Sequence, residues 1–239
     1  MALAIFDLDN TLIDRAGPFR RWAEAFAVRH GLEPGEVDWL LAADDDGFAP
    51  RERFMSQLRH RYGLSQPEEA LLAAFREEIV ALVEPDPRVP AALDGLRSSG
   101  WFVAIATNGA TDQQWAKIRR VGLDDHVDAV AVSQEVGASK PDPRVFEAAA
   151  QRCGTTLSTS DWMVGDCVTR DIGGAQALGL RTVWMRRDRT WDATAPPPDA
   201  VADDVPGAVA ALARRSVYDG GAKNSRAIPS GSRKETPDP

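Results

Sequence analysis

Two aspartates one position apart, Asp7 and Asp9, close the first apolar run of the chain in Ala4-Ile5-Phe6-Asp7-Leu8-Asp9-Asn10-Thr11-Leu12. Side chains alternate faces along a strand, so both acids project to one side while Leu8 points to the other. Two carboxylates packed together without a cation repel, and one of them takes up a proton. A divalent metal or a shared catalytic proton resolves that conflict, and either is chemistry. Further polar clusters stand where other apolar runs end. Ala106-Thr107-Asn108-Gly109 offers an anion a hydroxyl and a following backbone amide. Ser139-Lys140-Pro141-Asp142-Pro143 sets a lysine just before a helix start, itself favourable to anions. Trp162-Met163-Val164-Gly165-Asp166 ends in an acid, and Asp171 follows. Two acids, a hydroxyl, a lysine and two more acids make a coherent inventory for a metal and a phosphate, with the oxygen ligands that Mg²⁺ prefers.

Such scattered clusters act together only if a scaffold gathers their strand ends. Short apolar runs at Leu3–Phe6, Phe102–Ala106, Ala129–Val132, Trp162–Val164 and Thr182–Met185 read as strands buried on both faces. Helical stretches at Asp112–Val121, Pro143–Gln151 and Asp171–Leu178 lie between the later ones. This alternation predicts an α/β fold, a doubly wound parallel sheet of Rossmann-like type whose functional groups collect at the carboxyl ends of its strands. The segment from Asp14 to Asp86 carries no strand pattern. It reads as amphipathic helices at Pro18–Arg29, Pro34–Leu41, Arg51–Tyr62 and Pro67–Val83, separated by Gly31, Gly47 and Gly63. An all-helical block between the first and second strands is an insertion above the catalytic edge, a cap. The expected division is a core of residues 1–14 and 87–215, a helical cap of 15–86, and an unstructured tail of 216–239 rich in Gly, Ser, Pro, Lys and Arg. Pro85-Asp86-Pro87-Arg88-Val89-Pro90 reads as the returning hinge.

These motifs resemble those of the haloacid dehalogenase superfamily. Asp7-Leu8-Asp9-Asn10-Thr11 fits its first motif, DxDxT. Thr107-Asn108-Gly109 fits the second, Lys140 the third, and Gly165-Asp166 with Asp171 the fourth, in the family's order. The insertion after the first motif looks like the family's C1 cap, and the stretch between Asn108 and Lys140 is too short for the alternative C2 cap. The resemblance implies a phosphatase in which Asp7 attacks phosphorus and forms an aspartyl-phosphate. It implies that Asp9 protonates the leaving oxygen and later takes a proton from the hydrolytic water. Mg²⁺ would be held by Asp7, the backbone carbonyl of Asp9, and Asp166. Thr107 and the amide of Asn108 would bind phosphoryl oxygens, Lys140 would neutralise nucleophile and phosphoryl group, and Asp171 would orient Lys140 or a metal-bound water. An ionised carboxylate attacks a dianion only where cations screen their repulsion, which Lys140 and Mg²⁺ would supply. Asp9 weighs against the dehalogenase branch, because a departing halide needs no proton. A phosphosugar mutase and a non-catalytic binding protein of the same fold are the alternatives. The mutase is disfavoured by Thr11, and the binding protein by the presence of all four motifs.

Composition sets the bounds. With 28 Lys and Arg against 36 Asp and Glu the net charge is −8, which supplies no basic excess for nucleic acid but leaves room for a local cationic site. Cys153 and Cys167 form no disulfide framework or zinc motif, and no leader or membrane span is visible. The expectation is therefore a cytoplasmic enzyme, monomer or homodimer, acting on a small phosphorylated metabolite, with no nucleic-acid or membrane partner. His30, His60 and His126 lack partners at ligand spacing, and Cys167 reads as a small loop residue. Trp22 and Trp39 read as packing between cap helices. Among the cap arginines Arg15, Arg20, Arg21, Arg51, Arg53 and Arg61, Arg20 or Arg21 is the expected substrate contact, while Arg15 rides on the hinge.

Overall fold

The computed structural model describes residues 1–222. Its strands are β1 (Leu3–Phe6), β2 (Phe102–Thr107), β3 (Ala129–Val132), β4 (Trp162–Gly165), β5 (Arg181–Met185) and β6 (Ala200–Ala202). All pair in parallel in the order β3-β2-β1-β4-β5-β6. β1 is apolar and wholly buried, as a central strand covered on both faces must be. The chain leaves β1 towards β2 and β3, then crosses back to β4. The strand order reverses between β1 and β4, and the carboxyl ends of these two strands flank the crevice where such folds bind ligands.

Helices α1 (Ala16–Arg29), α2 (Glu36–Asp44), α3 (Arg51–Tyr62) and α4 (Glu68–Leu82) form the insertion between β1 and β2. They close around a cluster of their own, which includes Phe19, Trp22, Phe26, Phe54 and Phe75, separate from the two clusters on the faces of the sheet. Trp22 packs edge-on against Phe75 with ring centroids 4.8 Å apart, so its role is the packing that its helical phase predicts. Next come α5 (Arg88–Ser98), α6 (Thr111–Arg120), α7 (Ser133–Val136), α8 (Pro143–Arg152), α9 (Gly174–Ala177) and α10 (Val205–Ala222). A π-helical turn, Val168–Gly173, precedes α9.

Three features differ from the sequence reading. The proline-rich return is short: Pro87 is already in the αR region, and α5 begins at Arg88 with Pro90 in its first turn, where the missing N–H costs nothing. β6 is a strand that periodicity did not reveal. α10 runs through the first part of the expected tail, to Ala222, and the remainder of that tail lies outside the described residues.

Candidate active site

Asp7 continues the β1–β4 ladder through its N–H to the Val164 carbonyl at 2.9 Å, which fixes its side chain at the crevice. Its carboxylate accepts from Lys140 Nζ at 2.6 Å, and the same ammonium reaches Asp171 at 2.7 Å. Lys140 is placed by Asn108, whose Oδ1 accepts from the Lys140 N–H at 2.8 Å and whose Nδ2 donates to the Lys140 carbonyl at 3.0 Å. The loop behind Lys140 is anchored by Asp142, which accepts from the Arg144 N–H at the start of α8, with Pro143 in the first turn. Asp171 folds across Gly165, where a Cβ would lie 2.4 Å from its carboxylate, and accepts from the Cys167 N–H at 2.9 Å. Glycine at 165 is thus what lets β4 pass beneath an acid. Cys167 is a buried loop residue whose Sγ accepts from the Arg170 N–H, as expected of a small side chain there.

One oxygen each from Asp7, Asp166 and Asp171 falls within 4.8 Å of the others, and all three residues are buried. Burial, reinforced by the charges of Asp171 and Asp166, pushes the Asp7 carboxyl up to about 8 despite Lys140. Burial and Asp171 likewise raise Asp166 to about 6, although Arg187 and Arg189 contact its carboxylate at 3.1 Å. Three carboxylates converge here with all of their donors hard oxygens, and burial resists their charge even with Lys140, Arg187 and Arg189 beside them. The donor set fits Mg²⁺.

The side chain of Asp9 does not join this group. β1 ends at Phe6, and Asp9 sits in a turn bridged to Ile13, so strand alternation no longer governs where it points. It accepts from Lys117 Nζ at 2.7 and 2.8 Å and from Gln114 Nε2 at 3.0 Å. Burial acts to raise its proton affinity, but Lys117, with Arg15 and Gln114 behind it, outweighs burial and holds Asp9 below the ordinary carboxylate range. Each acid therefore has its own lysine, and no shared proton is needed to separate them. Gln114 also donates to Thr107 Oγ1 at 2.6 Å, which ties the hydroxyl of the second cluster to the acid of the first. Lys117 and Gln114 were not singled out by sequence reasoning. Their placement three apart on one face of a helix leaving the Thr107 strand end was the available signal.

On the insertion side, Arg15 rather than Arg20 or Arg21 reaches the crevice. Arg20 and Arg21 project from α1 to solvent, away from Phe19 and Trp22, and Arg21 hydrogen-bonds the Leu82 carbonyl. Arg15 is buried and forms a two-pronged pair with Asp44 at 2.6 and 2.7 Å, and Arg51 donates to the same carboxylate at 2.6 Å. Asn10, at φ 63°, accepts from the N–H groups of Arg15 and Ala16 and so serves as the cap that α1 lacks at Arg15. The loop after α2 descends over the site. Asp46 receives bonds from Asn10 and Arg187, Phe48 lies under the Arg170 guanidinium at 4.4 Å, and Gly47 has no room for a Cβ beside Arg15.

The resulting crevice is lined by Asp7, Asp9, Thr107, Asn108, Lys140 and Asp166 among others, so the residues singled out in the sequence meet at one place. A family model described as haloacid dehalogenase-like hydrolase matches residues 1–179. The chain is 31% identical over 200 residues to a glyceraldehyde 3-phosphate phosphatase of Methanopyrus kandleri, covering 79% of this chain and 85% of that protein. It is 35% identical over 183 residues to a phosphoserine phosphatase of Thermus thermophilus, covering 72% and 70% respectively. The L-2-haloacid dehalogenase of Xanthobacter autotrophicus has the same fold, with a TM-score of 0.68 at 21% identity over 90% of this chain and 99% of that one.

Proposed function

Because the chain belongs to the haloacid dehalogenase-like hydrolases, we propose that it hydrolyses the phosphate monoester of a small metabolite through a phosphoaspartate on Asp7. The observation that carries this reading is the pairing of Asp7 and Asp9 with separate lysines at one crevice. A dehalogenase shares the fold, so the fold does not choose the reaction. An acid held at Asp9 serves a leaving oxygen and has no task for a departing halide. The named relatives act on phosphate esters, which supports the same choice.

Lys140 holds the attacking oxygen of Asp7 and presents positive charge where phosphoryl charge must be tolerated. Thr107 and Asn108 line the crevice, and the Thr107 hydroxyl and the Asn108 backbone amide would take phosphoryl oxygens. Asp7, Asp166 and the Asp9 carbonyl would hold Mg²⁺, whose charge, when bound, offsets that of nucleophile and phosphate together. Asp171 keeps Lys140 charged and aimed. In the resting protein Asp9 is ionised, the form needed to take a proton from the hydrolytic water. The dianion of a bound ester beside it raises its proton affinity, which suits the preceding step, in which it gives a proton to the leaving oxygen.

The insertion acts as a cap, with residues 15–86 closing over a core of 1–14 and 87–215 and excluding bulk water while the phosphoaspartate exists. Release of inorganic phosphate from a panel of phosphorylated metabolites, with Mg²⁺ and then with EDTA, tests the reading. Metal-dependent turnover of a few related esters, lost in Asp7→Asn, is the expected result. Isomerised sugar phosphate without released phosphate would replace it with a mutase.

A further inference from the structure

A second cavity of about 230 Å³ adjoins the phosphoryl crevice beneath the insertion, and Asp9, Arg15, Gly47, Asn108 and Arg170 line both. Five cationic side chains face this second space: Arg15, Arg51, Arg76, Lys117 and Arg170. Their counter-ions are fewer. Lys117 has Asp9 at 2.7 Å, and Arg15 and Arg51 share the one carboxylate of Asp44. Among the described residues Arg76 reaches only Asp112, at 3.6 Å, an acid whose side chain is 72% exposed, and the Arg76 Nε is buried without a hydrogen-bond partner. Arg170 has no carboxylate partner among the described residues and rests on Phe48.

Three carboxylates thus answer five cations, in a chain whose net charge is −8. Withdrawing cations from water without counter-ions is unfavourable, and a chain rich in acids had ample means to balance them. An anion supplied from outside completes the arrangement. Phe75, Ile79 and Pro50 form an apolar wall that suits a short carbon spacer between that anion and the phosphoryl group. Guanidinium forks match carboxylate and phosphate oxygens equally well.

Given the phosphatase reading on which this rests, we propose that the substrate's leaving group carries a second anionic group, a carboxylate or a phosphate. Arg76 and Arg170 bind it in this side cavity, with Arg15 and Arg51 reinforcing the positive field. Three esters of one chain length test the idea: propyl phosphate, 3-phosphooxypropanoate and propane-1,3-diyl bisphosphate. The expected kcat/KM for at least one charged ester exceeds that for propyl phosphate by about tenfold or more, the worth of one charge-assisted contact. Preference for the carboxylate or for the bisphosphate tells the two anions apart. Arg76→Gln and Arg170→Gln each pull that ratio towards unity through KM, which a merely structural loss would not do.

Binding without turnover separates this idea from the phosphatase reading. Calorimetry on the native protein compares 3-phosphonopropanoate with propylphosphonate, neither of which can be hydrolysed. Tighter binding of the carboxylated compound with no hydrolysis of any ester sustains the charged cavity and removes the phosphatase reading. Equal binding of the two phosphonates, with propyl phosphate turned over as well as the charged esters, overturns the cavity's role and keeps the phosphatase.

Discussion

Replacing Lys117 by Met keeps the length and most of the volume of the side chain but removes the ammonium that faces Asp9. Lys117 is 4% exposed, and its Nζ is within 2.8 Å of both Asp9 oxygens. Removing one member of a fully buried ion pair costs about 3–5 kcal/mol, because the survivor is left charged and unpaired. The Asp9 side chain is 21% exposed, and Gln114 still donates to it at 3.0 Å, so water and amide recover part of that loss. The expected destabilisation is about 2–3 kcal/mol, which in a chain of this size lowers Tm by about 5–10 °C. Asp9→Asn in the Lys117→Met background removes the stranded charge and restores most of the loss. Denaturant unfolding of the parent, both single variants and the double variant closes the thermodynamic cycle. The sign of the pH dependence is fixed as well. Because Asp9 is held below its unfolded range, the pair stabilises above the unfolded pKa of 3.8, and its contribution fades as pH falls through the folded value. The deficit of Lys117→Met must therefore shrink in acid. A coupling below about 0.5 kcal/mol at neutral pH, within the scatter of independent sites, would show that the two charges do not sustain each other.

Asp7→Asn should abolish phosphate release, yet flatten the pH dependence of stability in EDTA. The Asp7 pKa, raised from 3.8 to about 8, makes the metal-free native state hold a proton that the unfolded chain releases, so stability falls as pH climbs through that window. Unfolding at acid and alkaline pH should show the variant more stable than the parent by roughly 1–2 kcal/mol at the alkaline end only. Gly165→Ala places a Cβ where the Asp171 carboxylate now lies, so it should weaken Mg²⁺ binding by about tenfold or more in calorimetry while costing about 1–3 kcal/mol of stability. Asn108→Ala removes both bonds that hold the Lys140 backbone, and should lower kcat more than it raises KM, with a stability loss of about 1–2 kcal/mol. If kcat were unchanged, the loop would be held by other means.

The legible parts of this molecule are those whose signals are local. β1 and β3 announce themselves as apolar runs with the observed bounds, because strands buried on both faces leave no room for polar residues. Gly63, at the left-handed end of α3, and Pro143, in the first turn of α8, mark helix boundaries through backbone constraints that any sequence shows. β6 is an Ala-Val-Ala run of only three residues set between aspartates, with its one large side chain, Val201, exposed, too short for either buried or alternating periodicity to register. What the sequence hid in the site was long-range pairing. Lys117 lies 108 positions from the acid it serves, and Arg15 lies 29 positions from Asp44, so no periodicity within one element could join them. Arg20 or Arg21 was the expected substrate contact, but helical phase carries both to solvent.

Arg187, in the turn after β5, spends a single nitrogen on two acids, Asp46 of the insertion at 2.9 Å and Asp166 of the core at 3.1 Å. The nitrogen has an N–H for each, but the two carboxylates share a single positive charge. Whatever draws charge from Asp166 leaves Arg187 to Asp46 and tightens the grip on the descending loop, and whatever lifts that loop returns Arg187 to Asp166. The position of the insertion and the affinity for a cation at Asp166 are then conjugate quantities. By thermodynamic necessity, the factor by which closure alters cation binding equals the factor by which the cation alters closure.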